Sequence, residues 1–182
     1  MRLCSQMSEH WHWITVVASV TCHMQPLPHT RHCFVCGINN PSGLQLDFVT
    51  DHRVVETRFR FRRDLCGFTH AVHGGVIATV LDEVMVWAVG VGAGQLTYCA
   101  EMTVRYLRPT APETDVVGRG ELVENKRGRL FLAKGSLSDA AGNILAESTG
   151  KYLPVPAELQ PDLKADFVET PDWIFRNVAS RG

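Results

Sequence analysis

His73-Gly74-Gly75-Val76-Ile77-Ala78-Thr79-Val80-Leu81-Asp82-Glu83 is the stretch that decides the fold. Val76, Ile77, Val80 and Leu81 run on into Val84, Met85, Trp87, Ala88 and Val89. Apolar side chains therefore cover most of the circumference rather than one stripe, and the helix predicted from Gly74 to about Val91 is a buried one. Gly90, Gly92 and Gly94 are expected to end it. The two glycines leave the helix start bare, and Asp82 sets a carboxylate on the same helix two turns later. Glu83 competes with Asp82, but lies about 100° round the axis, so the two do not serve one site equally.

Strands surround this helix in the sequence. Upstream, Leu44, Leu46 and Phe48 alternate with polar residues, and Val55, Thr57, Phe59 and Phe61 alternate with Glu56, Arg58, Arg60 and Arg62. The period of two predicts a hairpin turning at Asp51-His52. Its arginine row reads as a solvated face rather than an anion site. Arg63 to Val72 reads as a loop. Downstream, Tyr98 to Tyr106, Val116 to Glu124, Leu130 to Ser138 and Ile144 to Leu153 are four more strands, joined by turns at Lys126-Arg127-Gly128 and Asp139 to Asn143. The order β-β-α-β-β-β-β predicts an α+β architecture, an antiparallel sheet curled around one long helix.

The 182 residues suit one domain with some excess at the ends. Residues 1–25 read as an extension, 26–156 as the domain, and 157–182 as a tail with a short helix expected over Asp166 to Ala179. Net charge is −1 without a basic stripe, which argues against nucleic acid and a membrane surface as partners. No uninterrupted apolar run reaches the length of a membrane span. Trp13 to Val20 resembles a signal core, yet only Arg2 precedes it as a positive charge and no small-x-small cleavage site follows. Six unevenly spaced cysteines read as reduced thiols, and the expected location is cytoplasmic. Cys33-Phe34-Val35-Cys36 with His29 and His32 nearby carries zinc-ligand chemistry. No second ligand pair follows at finger-like spacing, so a packed turn is favoured and no metal or redox cofactor is expected.

At this point the residues carry a resemblance. Cys33-Phe34-Val35-Cys36-Gly37 with Asn40-Pro41-Ser42-Gly43-Leu44, His73-Gly74-Gly75 with Asp82 nine residues after His73, Val104-Arg105-Tyr106-Leu107-Arg108-Pro109, and Gly142-Asn143-Ile144-Leu145-Ala146 occur in order. The chain resembles hotdog-fold acyl-CoA thioesterases of the phenylacetate-pathway (PaaI-like) group over roughly residues 33–153. The resemblance implies a homodimer, or a dimer of dimers. Each active site would pair the helix start of one subunit with the helix carboxylate of the other.

The chemistry of the residues stands beside that. Amides at a helix N-terminus are unpaired and lie at the positive end of the dipole. Gly74 and Gly75 let a thioester carbonyl approach, so the Gly74 amide is the candidate oxyanion donor and Gly75 a substrate contact. Asp82 is the candidate general base, or a nucleophile forming an anhydride. The sequence leaves both open. His73 either places the thioester or caps the turn. Relatives often carry Asn or Gln six residues before this histidine, where Gly67 stands here, so His70 is the candidate replacement. They often carry Ser or Thr where Cys99 stands, which is a weaker hydrogen-bonder. Glu83 completes the candidate substrate-binding set. Met85 and Trp87 are candidates for an acyl pocket, though core packing is the favoured role of Trp87. Two other readings remain: a binding module that holds an acyl-CoA or apolar ligand without turnover, and a hotdog dehydratase, whose local motif differs.

Overall fold

The structure, a computed structural model, describes residues 24–169. Most of the predicted N-terminal extension and all of the tail beyond 169 lie outside them. Within them the strands are β1 (Gln25–Pro26), β2 (Val49–Thr50), β3 (Val54–Arg60), β4 (Cys66–Phe68) and β5 (Ala71–Val72). The long helix α1 (Gly74–Ala93) follows, then β6 (Thr97–Tyr106), β7 (Asp115–Lys126), β8 (Leu130–Asp139), β9 (Ile144–Pro154) and a short helix α2 (Gln160–Asp166). One seven-stranded antiparallel sheet has the order β1-β2-β3-β7-β8-β9-β6, while β4 and β5 form a separate ribbon. α1 packs against β7, β8, β6, β9 and β3. This is the hotdog arrangement, a sheet wrapped around a central helix.

The helix is buried because its apolar residues have somewhere to go on several sides. Val80, Leu81, Val84, Met85 and Val89 are fully enclosed. By length and apolarity α1 would also suit a bilayer. In this fold the sheet takes the bilayer's place. The sheet comes close enough only because it is bare beneath the helix. A Cβ on Gly120 of β7 would lie 2.1 Å from the Val84 carbonyl oxygen and 2.5 Å from its carbon. Of the three glycines expected to stop α1, Gly90 and Gly92 are helical, and Gly94 alone ends it, with φ of 63° and its N–H on the Gly90 carbonyl. The interior glycines are tolerated because packing rather than intrinsic propensity holds this helix.

Other expectations need correction. Leu44, Leu46 and Phe48 are buried in alternation, as predicted, but make no strand. The amides of Leu44 and Leu46 donate to the Phe34 and Val35 carbonyls, so this run pairs with the cysteine turn. The hairpin is only Val49–Thr50 against Val55–Glu56. The Arg63 to Val72 loop contains the β4-β5 ribbon. A short helix, Gln160–Asp166, leads into the tail with Pro161 in its first turn, which suits a helix start, while the helix expected over Asp166 to Ala179 lies almost wholly outside the described residues. The arginine row is an exposed face, as expected, and is ion-paired there: Arg58 with Glu56 at 3.2 Å, Arg62 with Asp64 at 3.2 Å, and Arg60 with Asp115.

Candidate functional site

His73 ends the β4-β5 ribbon and caps α1. Its backbone is extended, and its Nδ1 accepts from the Gly75 N–H at 3.0 Å. That bond fixes Nδ1 as the unprotonated nitrogen, leaving Nε2 to carry the hydrogen. It also commits the Gly75 amide, so the Gly74 amide is the N-terminal donor left for a ligand. Gly74 is held from its other side, where the Tyr106 hydroxyl donates to its carbonyl at 2.7 Å. Gly67 packs on the His73 ring, and a Cβ there would stand 3.0 Å from Cδ2. A side chain at the relatives' Asn/Gln position would therefore press on the cap. His70 lies exposed in the turn of the ribbon. Phe68, at 83 % exposure, and Tyr106, at 52 %, leave an apolar rim around the helix start.

Asp82 lies eight residues after Gly74, about 12 Å along the helix. It is half-buried, and its Oδ1 accepts from the Tyr152 hydroxyl at 2.9 Å. Tyr152 is itself fully enclosed on β9. Cys99, opposite Tyr152 in the β6-β9 register, completes the group. Burial, then the Asp82 charge, pushes the Cys99 thiol up to about 11. The same two causes push the Tyr152 phenol upward, so it stays a hydrogen donor to the carboxylate.

Glu83 turns to the other flank of α1. The Trp87 indole donates to its Oε1 at 3.2 Å, and the Cys33 thiol lies 3.6 and 3.8 Å from its two oxygens. Burial first, then the neighbouring Cys33, raises its carboxyl to about 8. The structure thus separates Glu83 from the Asp82–Tyr152–Cys99 group. Trp87 packs between Phe48 and Phe167 at centroid distances of 6.5 and 6.0 Å, and Met85 is fully buried, so both serve the core. A larger cavity, about 660 Å³, lies on the sheet face away from α1 among Arg105, Arg119, Lys134 and Glu147, and contains none of the predicted site residues.

The sequence reading names Asp82, Gly74, His73, Gly75 and Cys99 but misses Tyr152 and the role of Tyr106. Tyr106 lies within a quoted motif, so its position was visible. Tyr152 shows only as an alternating residue of the last strand, and its aim at Asp82 depends on the sheet closing around α1.

The arrangement of helix, sheet and glycine-opened helix start defines a hotdog-fold protein with the residue types of thioester chemistry. The sequence model of the thioesterase superfamily matches residues 70–132, which hold the helix start, Asp82, Cys99 and Tyr106. Among solved structures, a thioesterase superfamily protein is 25 % identical with a TM-score of 0.62, covering 68 % of this chain and 60 % of its own. The chain thus spans less than two thirds of that relative's length. Escherichia coli PaaI, from the phenylacetic acid degradation operon, is 13 % identical with a TM-score of 0.57, covering 62 % of this chain and 81 % of its own. A hypothetical thioesterase protein of Streptococcus pneumoniae, solved with coenzyme A, is 15 % identical with a TM-score of 0.53, covering 57 % and 80 %. No curated protein matches the sequence significantly. The resemblance to the thioesterase superfamily is shown in sequence over that segment and in fold beyond it.

Proposed function

We propose that the chain is an acyl-CoA thioesterase that works as a homodimer. One observation carries this: a carboxylate held by a buried tyrosine lies two helical turns from a glycine-opened helix start. The separation of about 12 Å is too long for both to act on one carbonyl within one chain. A second copy that brings its helix start to this Asp82 makes a complete site, and gives two such sites per dimer. The apolar rim at Phe68 and Tyr106 suits coverage by that copy or by substrate.

In this reading the thioester carbonyl oxygen points at the Gly74 amide. Asp82 takes the proton of a water that attacks the carbonyl carbon. The oxyanion is stabilised by the amide and the helix dipole, the C–S bond breaks, and the CoA thiolate leaves with a proton. Direct attack by the carboxylate, through an anhydride that water then opens, uses the same geometry. The relative solved with coenzyme A supports the choice of acyl carrier.

The test is a panel of acyl-CoAs with thiol detection, run on wild type and Asp82→Asn. We expect cleavage that falls by at least about a hundredfold in the variant. Equal rates would sink the assignment of Asp82. A second reading, ligand binding without turnover, draws on Gly67, whose contact with His73 leaves no side chain for a second oxyanion donor. Tight acyl-CoA binding without cleavage would decide for it.

A further inference from the structure

Cys33, Cys36 and Glu83 take no part in the chemistry above. Their ligand atoms lie within 4.8 Å of one another. The sequence shows only the Cys-x-x-Cys half of this group, because Glu83 arrives from fifty residues away on α1. The turn that carries the cysteines has the build of a metal knuckle. The Val35 amide points at Cys33 Sγ at 3.2 Å, and the Cys36 amide points there too. Two N–H groups aimed at one sulfur favour its thiolate, the form that binds metals. The chain folds back tightly behind them: Gly37 N–H donates to the Cys33 carbonyl at 3.0 Å, and a Cβ on Gly37 would lie 2.3 Å from that oxygen. The Leu44 and Leu46 amides and His29 Nδ1, the last bonded to the Cys36 carbonyl at 3.0 Å, anchor the turn from outside.

We propose that Cys33, Cys36 and Glu83 are three ligands of a zinc ion that ties this knuckle to the middle of α1. Zinc held about 2.3 Å from sulfur and about 2.0 Å from oxygen in a tetrahedron sets sulfur and oxygen about 3.5 Å apart. The Cys33–Glu83 separations are 3.6 and 3.8 Å. These separations suit a thiol hydrogen bond in the metal-free protein and equally match the spacing of two ligands on one ion. Two thiolates and a carboxylate in tetrahedral array select zinc over the hard cations. The surrounding partners are those that orient ligands: the Trp87 indole on Glu83, the amides on Cys33, and the Thr30 hydroxyl 3.4 Å from Cys36 Sγ. His29 is not the fourth ligand, since its Nε2 is spent on Asp47 at 3.0 Å and its Nδ1 on Cys36. The fourth position opens toward a cavity of about 150 Å³ lined by Thr30, Glu83 and Trp87, where a water completes the shell.

The zinc braces the fold and is separate from the thioester reading, so its test does not depend on activity. Full-length protein purified from zinc-supplemented culture is dialysed and its metal counted. We expect about one zinc per chain. Cobalt substituted for zinc should give thiolate-to-cobalt charge-transfer absorption and the intense visible bands of a tetrahedral site. Cys33→Ser and Cys36→Ser should lose both signals, Cys66→Ser should keep them, and Glu83→Gln should weaken zinc binding by at least about tenfold. If the serine variants do not fold, the wild-type cobalt spectrum and Glu83→Gln decide. Metal-free wild type without a thiolate–cobalt band, a Cys33–Cys36 disulfide in the intact mass, or full zinc affinity in Glu83→Gln would overturn the site.

Discussion

Replacing Tyr152 with phenylalanine removes one oxygen atom and leaves the ring in place. That oxygen donates to Asp82 at 2.9 Å from a fully buried side chain. A hydrogen bond to a charged acceptor contributes about 1.5–3 kcal/mol, and about 1.4 kcal/mol off the barrier is tenfold in rate. Because the carboxylate stays partly open to water, we expect the loss to fall near the lower end. kcat should drop about tenfold with KM little changed, since Tyr152 positions the base and does not reach the substrate. A second perturbation reaches the same hydroxyl from elsewhere. A Cβ on Gly150 would lie 2.6 Å from Tyr152 Cε2 and 2.9 Å from its hydroxyl. Gly150→Ala must therefore push the ring aside and draw the hydroxyl off Asp82, with a loss at least as large. The double variant should be little worse than the worse single one, because both act through one bond. Steady-state kinetics on one acyl-CoA, with circular dichroism to confirm folding, is the assay. A kcat within twofold of wild type for Tyr152→Phe, or effects that multiply in the double variant, would refute the claim that Tyr152 holds the base.

Other outcomes follow from the same geometry. Asp82→Asn and Gly74→Val homodimers should each be inactive, while a refolded equal mixture should recover roughly a quarter of wild-type activity, because heterodimers carry one intact site; absence of recovery argues against a shared site. Gly120→Ala should cost about 3 kcal/mol or more in urea unfolding, since the clash is with the helix backbone rather than a side chain that can turn away; a cost below about 1 kcal/mol contradicts the seating of α1. Cys99 should resist iodoacetamide until pH approaches about 11, because its raised pKa keeps it a thiol. In Asp82→Asn the carboxylate charge is gone, so labelling should begin at lower pH, as read by peptide mass spectrometry.

The architecture was legible because it is written in local pattern. The apolar circumference of Gly74 to Val91 could only be a core helix, and the period of two in Val55 to Phe61 could only be a strand facing it. Leu44 to Phe48 shows where such patterns mislead. Alternating burial is shared by strands and by extended chain that spends its amides elsewhere, here on Phe34 and Val35. The site was half legible. His73 to Asp82 lie in one segment, so spacing shows them. Tyr152 and the Glu83–Cys33 pairing are contacts across seventy and fifty residues, set by sheet closure and helix rotation, which no local window contains.

The bare patch under α1 has one more consequence. Gly120 lets the Val84 carbonyl rest on the strand itself, and a Cβ on Gly135 of β8 would meet Met85 at 3.2 Å. A rod resting on a smooth bed of main chain has its depth and roll fixed by the bed. The outer residues of the rod can then be exchanged without turning it. A change at Thr79, on the exposed side, would reshape what the helix shows to a ligand or a second copy, while Asp82 keeps its heading toward Tyr152. The fold is in this sense a fixed spindle with replaceable facing, on which specificity can drift without moving the carboxylate.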